Sequence, residues 1–419
     1  MSTAESTHPG PAGSDRSTTD PNPLLSTGQK RLLGNYRQAP LVLDRGKGCE
    51  VWDTEGRRYL DLCAGVAVSA LGHAHPRLTA TIAEQAGRLL HASNYFYNAE
   101  NIRLADELCQ KLGFDRAFFC NSGAEANEAM LKMARRWFFV NGQPERYRLI
   151  AFDHSFHGRT MGAVALTGNP KYQEGFGPAL EGVTHVPYGD AAAVRAVMGP
   201  DVAGIVVEPV QGEGGVFPAP PGYLRELRAI ADEAGALLLL DEVQTGIGRT
   251  GRWLGAEHDG VKGDAVALAK GLAGGVPIGA LLVQERLNKA LTPGSHGSTF
   301  GGNALASAAA RTVLAVIEEE KLLAAVEEKG EYLSRRLREL AAAHPKGCVG
   351  ERGRGLLRAL VLAPGIDARL ALNAARERGV LLTVAGSDGL RFTPPLVITR
   401  EELDEALERI SLALTDLGW

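Results

Sequence analysis

Three stretches of the chain put reactive side chain types where a fold can use them. "LLLLDEVQTGIGRTG", residues 237–251, runs four leucines into Asp241 and on into a glycine-rich turn, and "AVALAK" ends on Lys270. A carboxylate at the end of a buried strand is costly unless a cation or a strong donor meets it. A buried amine is costly unless its pKa falls or it is covalently engaged. The third stretch, "FFCNSGAEANEAMLKMARRW", leaves a strand at Cys120, turns through Asn121, Ser122 and Gly123, and enters a helix near Ala124. Free backbone N–H groups at that helix start, with the Ser122 hydroxyl, make an anion cradle, for phosphate above all. Each feature has an ordinary alternative when taken alone. Ser122 could simply cap its helix, Asp241 and Lys270 could pair with each other, or Lys270 could be exposed at a strand end.

Together the three match what pyridoxal phosphate needs: an amine for the aldehyde, an anion for the pyridinium nitrogen, and a helix start for the phosphate. Gly246, Gly248 and Gly251 also fit a dinucleotide fingerprint, but there the first glycine follows the strand directly, whereas here Asp-Glu-Val-Gln-Thr intervenes. Metal binding is disfavoured. His73 and His75 flank one alanine, with no carboxylate or cysteine set at ligand spacing nearby.

The elements that must position these residues follow from periodicity. Strand-like apolar runs begin at residues 117, 148, 204, 236, 265 and 278 and alternate with helical segments, which predicts an α/β fold with a mainly parallel central sheet flanked by helices. Ligands in such sheets sit beyond the carboxyl ends of the strands, where the three features lie. "LVLDRGKGCEVWDTEGRRYLDLCAG" reads as short strands and turns, with ordered structure expected from near Leu41. A long helical stretch from about Ala304 to Ala343 leads into a smaller α+β unit, and Thr399 with Glu402 forms a capping box ahead of the last helix. The expected organisation is a disordered tail (1–27), an N-terminal segment packing with the small domain (28–80), a large domain (81–305) and a C-terminal small domain (306–419).

The bulk numbers narrow the class. The 419 residues carry 45 Lys plus Arg against 49 Asp plus Glu, net −4, so neither a nucleic-acid footprint nor a polybasic membrane face is expected. Five cysteines without a CxxC pair suit reduced thiols in a cytosolic protein. No run of 18 uncharged apolar residues suggests a spanning helix.

From about Asn35 to the C-terminus the chain resembles the class III aminotransferases, through "LGHAHP", "NSGAEANEAMLKMAR", "FHGRT", "VVEPVQGEGG", "LLLLDEVQTGIGRTG", "ALAKGLAGG" and "HGSTFGGNALA" in that order. The resemblance implies the fold-type-I architecture, pyridoxal 5'-phosphate as cofactor, and a homodimer with shared active sites. It makes Lys270 the lysine that bonds the cofactor aldehyde and Asp241 the partner of the pyridinium nitrogen. Val243 and Phe156 would pack on the two ring faces and Gln244 would reach the phenolic oxygen. Ser122, Gly123 and Ala124 would hold the phosphate from one subunit and Thr299, beside Ser298 at the substrate end, from the other.

For substrate, the resemblance implies that Arg159 binds a distal carboxylate and that Arg391 takes the carboxylate next to the reacting carbon. Glu213 would pair with Arg391 when no such carboxylate is present. "GVAVSALGHAHP", "FGPALEGVTHVPYGD" and "PGSHGSTFGGN" are most similar to the members that move the δ-amino group of N2-acetyl-L-ornithine to 2-oxoglutarate, in arginine biosynthesis. Ornithine-specific members carry tyrosine at the place of Val66 and tryptophan at that of His157. A small Val66 would leave room for an acyl group, whereas Tyr36 resembles the tyrosine that ornithine-specific members use on the α-carboxylate. Alternatives are amino transfer from ornithine, N-succinyl amines or 4-aminobutyrate; more remotely, a nicotinamide-dependent dehydrogenase or a cofactor-binding regulator without turnover.

Overall fold

The computed structural model describes residues 22–419. Its centre is a seven-stranded sheet in the order Arg116–Cys120, Gly279–Val283, Ala265–Leu268, Leu237–Asp241, Val202–Val207, Arg148–Phe152 and Val183–Val186. All pairings are parallel except the two made by Gly279–Val283, which runs antiparallel to both neighbours. The strands are apolar on both sides because both faces are covered. Leu238 and Leu240 join one core with Leu224, Leu227 and Ile230 of helix Tyr223–Ala234. Leu237 and Leu239 join another with Ala126, Met130 and Met133 of helix Gly123–Val140. Strand Val183–Val186 is the one the apolar-run reading missed; it lies at the sheet edge and is half-buried, so its sequence "VTHV" lacks the continuous apolar signal.

Three N-terminal strands, Leu43–Lys47, Glu50–Asp53 and Arg58–Asp61, form a sheet completed by Val380–Leu381, with Val380 in register with Leu60. A further antiparallel sheet is built from Cys348–Arg354, Leu357–Leu362, Gly389–Phe392 and Thr383–Ala385. The last helix, Arg400–Asp416, opens with the expected capping box of Thr399 and Glu402. Among the described residues no helix is long and apolar enough to cross a membrane.

Two expectations are corrected. The tail expected to stay unstructured to residue 27, with order from Leu41, instead forms helix Pro23–Arg31: Asn22 accepts from the N–H groups of Leu24 and Leu25 at 3.1 Å, and proline occupies the first helical position, where its missing N–H costs nothing. Residues 1–21 of that expected tail lie outside the described residues. The single helical stretch from Ala304 to Ala343 is two helices, Ala304–Glu319 and Leu322–Ala343, because Lys321 takes a left-handed φ of 54°.

Candidate active site

Asp241 is the last residue of its strand and pairs in register with Ala267 of the neighbour, so the chain around Lys270 emerges beside it. The strand ends at Leu268, two residues before the expected terminus; Lys270 begins a short 3₁₀ turn with φ 39°. That left-handed conformation is one a lysine rarely adopts without tertiary support. Lys270 and Asp241 border a cavity of about 420 Å³, along with Ser122, Phe156, Val243 and Gln244.

Asp241 is 3% exposed, and its ionic partner is His157 rather than Lys270. Its Oδ2 accepts from Asn127 Nδ2 and from His157 Nδ1, each at 2.7 Å, and its Oδ1 accepts from the Val243 N–H at 3.0 Å. Three donors offset the cost of burying the charge. Burial lowers the Lys270 pKa below its ordinary value against the opposing charge of Glu213; Arg391 adds to the lowering, while Asp241 and Glu208 resist it. A lysine so shifted holds more of its amine in the neutral, nucleophilic form.

At the start of helix Gly123–Val140, Ser122 is the N-cap, its hydroxyl accepting from Glu125 N–H at 3.2 Å. The turn is tightly packed. A Cβ on Gly123 would lie 2.7 Å from Val243 Cγ1, and one on Gly158 would lie 2.6 Å from Ala124 Cβ. Ser298 reaches this turn, its hydroxyl accepting from Asn121 Nδ2 at 3.3 Å. Thr299 is exposed and does not border the cavity.

Arg391 is 2% exposed on strand Gly389–Phe392. Its guanidinium donates to Glu213 Oε1 at 2.5 Å, Thr383 Oγ1 at 3.0 Å, Gly212 O at 3.1 Å and Gln244 Oε1 at 3.2 Å. Burial pushes the Glu213 carboxyl up, but the charges of Arg391 and Lys270 outweigh it and hold the pKa below its ordinary value. Arg159 borders the cavity and has no carboxylate partner among the described residues; instead it lies 3.8 Å from the Tyr172 ring centroid and 5.3 Å from that of Phe156.

Of the six expected substrate residues Arg159 alone borders the cavity; Arg391 and Glu213 meet Gln244 of its lining and Ser298 meets Asn121, whereas Tyr36 and Val66 lie apart. Tyr36 is 75% exposed and does not border the cavity. Val66 lies in a run of left-handed residues, Ala64 to Ala67, and it is Val68 whose side borders the space.

The sequence profile of the family described as aminotransferase class-III matches residues 34–414. The chain belongs to the class III aminotransferases. It is 49% identical to the acetylornithine aminotransferase of Myxococcus xanthus, over 96% of this chain and 100% of that protein. It superposes with a TM-score of 0.90 and 37% identity on the ornithine aminotransferase of Toxoplasma gondii, a structure with partial occupancy of PLP at the active site, over 94% of each chain. The N-acetylornithine aminotransferase of Stenotrophomonas maltophilia gives a TM-score of 0.81 at 38% identity, covering 94% of this chain and 99% of that one. Class III aminotransferases are pyridoxal-phosphate enzymes of fold type I, and the chemistry of the Lys270, Asp241 and Ser122 set suits that cofactor.

In this aminotransferase, three residues lining the cavity, Asn127, His157 as a partner of Asp241, and Glu208, went unassigned from sequence, as did Tyr172, which stacks on Arg159. Asn127 leaves a trace, because it is a polar residue on the helix face that carries Met130 and Ala134, three and seven residues on. Glu208 leaves one as well, directly after the apolar strand Val202–Val207, whereas His157 and Tyr172 leave none, since their partners come from other segments.

Proposed function

We propose that this class III aminotransferase moves the δ-amino group of N2-acetyl-L-ornithine to 2-oxoglutarate, giving N-acetyl-L-glutamate 5-semialdehyde and L-glutamate. One observation carries the reading: the cavity offers a lysine of lowered pKa and an arginine, Arg159, with no carboxylate partner among the described residues, while a second arginine, Arg391, masked by Glu213, bonds Gln244 of the cavity wall from behind. Two substrates that differ in whether a carboxylate adjoins the reacting carbon need such a pair of arginines, one constant and one conditional. The likeness to acetylornithine aminotransferases at 49% identity supports the choice of amine.

Pyridoxal phosphate, when bound, supplies an electrophilic carbon for the amine and a ring that withdraws electrons from the carbon being deprotonated. Ser122 and the N–H groups of Gly123 and Ala124 would hold its phosphate, Val243 and Phe156 its ring faces, Gln244 its phenolic oxygen and Asp241 its ring nitrogen. Lys270 Nζ would take the proton from the amine-bearing substrate carbon and hand it to the carbon that received the amine, acting as base and then acid. Arg159 orients the distal carboxylate. Arg391 exchanges Glu213 for the carboxylate of glutamate or 2-oxoglutarate, so Glu213 acts as a gate.

Thr299 is exposed on the single chain, alongside Phe300 at 59% exposure and Tyr95 and Tyr97 at 94%. A homodimer that buries this surface and brings Thr299 to the partner's phosphate would complete the site. Five unpaired thiols fit a reducing, cytoplasmic setting.

The test is single-turnover spectroscopy of the purified holoenzyme, comparing N-acetylornithine with ornithine. Faster loss of the lysine-bound cofactor absorbance with the acetylated amine is expected, and Lys270→Ala abolishes it. Preference for free ornithine overturns the substrate, and absence of any such absorbance overturns the cofactor assignment.

A further inference from the structure

Behind Asp241 lies a buried array that the proton transfers and substrate contacts do not use. His157 Nδ1 meets Asp241 Oδ2 at 2.7 Å, and an ionised carboxylate only accepts, so the proton of this contact is on Nδ1. Asn127 closes a ring: its Nδ2 donates both to Asp241 Oδ2 at 2.7 Å and to the His157 carbonyl at 2.8 Å. The far side of His157 is tied by its N–H to Thr167 Oγ1 at 2.9 Å. Its other ring nitrogen, Nε2, is buried without a hydrogen-bond partner among the described residues, so all the side-chain hydrogen bonding of this histidine goes to Asp241.

We propose that His157 is a positioning residue for the amino transfer: with Asn127 it clamps Oδ2 of Asp241, leaving Oδ1 as the oxygen with a lone pair to spare for a ligand in the cavity. The count of donors supports this. Oδ2 receives two and Oδ1 only the Val243 N–H, so the capacity that remains is on Oδ1. The titratable groups facing the imidazole are Asp241, Glu208 just past strand Val202–Val207, and His185 on the edge strand. Burial alone would lower the His157 pKa, but the Asp241 hydrogen bond and charge, helped by Glu208, hold it above its ordinary value. The arrangement is a second layer that fixes the plane of a buried anion, as outer ligands do around metal sites.

The inference rests on the reading of Asp241 as the anion beneath the cofactor ring, and the test separates the two. His157→Phe, His157→Asn and Asn127→Ala are compared with wild type in affinity for pyridoxal phosphate, in the pH midpoint of the bound-cofactor absorbance, and in the melting temperature of the protein without cofactor. His157→Phe is expected to weaken cofactor affinity about tenfold or more and to move the absorbance midpoint, whereas His157→Asn, whose amide can donate from near the Nδ1 position, regains most of both. Asn127→Ala removes the second donor and should move the same midpoint. Wild-type affinity and midpoint in His157→Phe overturn the inference. So does equal impairment of His157→Phe and His157→Asn with melting temperatures lowered in step, because that is the mark of packing alone. If His157→Phe does not fold, an unmoved midpoint in Asn127→Ala overturns it. Failure of the wild-type chain to bind pyridoxal phosphate sinks the proposed function and this inference together; a working wild type with an indifferent His157→Phe sinks this inference alone.

Discussion

Arg391 and Glu213 face each other at 2.5 Å across 178 residues of sequence, with the guanidinium almost wholly buried. Removing the glutamate leaves the arginine to an incoming carboxylate. Glu213→Ala should therefore raise kcat/KM for L-glutamate about tenfold while lowering the preference for N-acetylornithine, as the worth of one charge-assisted hydrogen bond implies. The same variant should melt lower, since it strands a buried charge. Steady-state kinetics on both amines check the prediction, and unchanged selectivity would remove the gate.

The Arg159 guanidinium stacks 3.8 Å from the Tyr172 ring centroid. Such a contact is worth about 0.5–2 kcal/mol and here holds an arginine that has no acid to orient it among the described residues. Tyr172→Ala is expected to raise KM for both substrates about threefold to tenfold with kcat little changed, and Tyr172→Phe to keep wild-type values. A fall in kcat alone would argue against the positioning role.

Gly123 has no room for a side chain, as an added Cβ would meet Val243 Cγ1 at 2.7 Å and Cγ2 at 2.9 Å. Gly123→Ala should push Val243 out of place and weaken pyridoxal-phosphate binding about tenfold, although the backbone N–H is retained. Val243→Ala in the same chain should recover part of the loss. Fluorescence titration of the cofactor-free protein measures both, and no recovery would locate the defect elsewhere.

Glu242, next to Asp241, points away from the cavity. Its carboxylate accepts from Thr245 Oγ1, Gly255 N–H and Ala256 N–H, pinning the glycine-rich turn. Burial pushes its pKa up to about 7, against the pull of these donors, from an ordinary 4.5. A folded-state value above the unfolded one means that the folded protein holds the extra proton between those two limits. The contribution to stability is thus full below pH 4.5 and is lost as pH rises to about 7. Glu242→Gln sets an amide N–H₂ against a backbone donor and should cost about 1–3 kcal/mol. The gap in melting temperature between wild type and Glu242→Gln should narrow from pH 5 to pH 8; a gap that widens would contradict the assignment.

Much of the scaffold was legible because its signals are local. Four leucines before Asp241, the run before Lys270 and the small residues after Cys120 report strand ends and a helix start, and the structure puts all three around one cavity. The capping box at Thr399 was readable for the same reason. Where local signals were weak, the reading failed: "VTHV" is half-exposed at an edge, and the helix from Pro23 lies in a polar segment stabilised by one asparagine cap.

The sequence by itself determined, to within two residues, which side chains stand at the ends of the central strands, since apolar period and turn residues act within a few positions of one another. It also determined the family, through motifs spread over most of the chain. Only the tertiary structure decided that His157 stands behind Asp241, 84 residues away, that Asn127 bridges the two, and that Tyr172 carries Arg159. Such contacts depend on how loops from different strands converge at the sheet's carboxyl edge, and no periodicity along the chain encodes that distance.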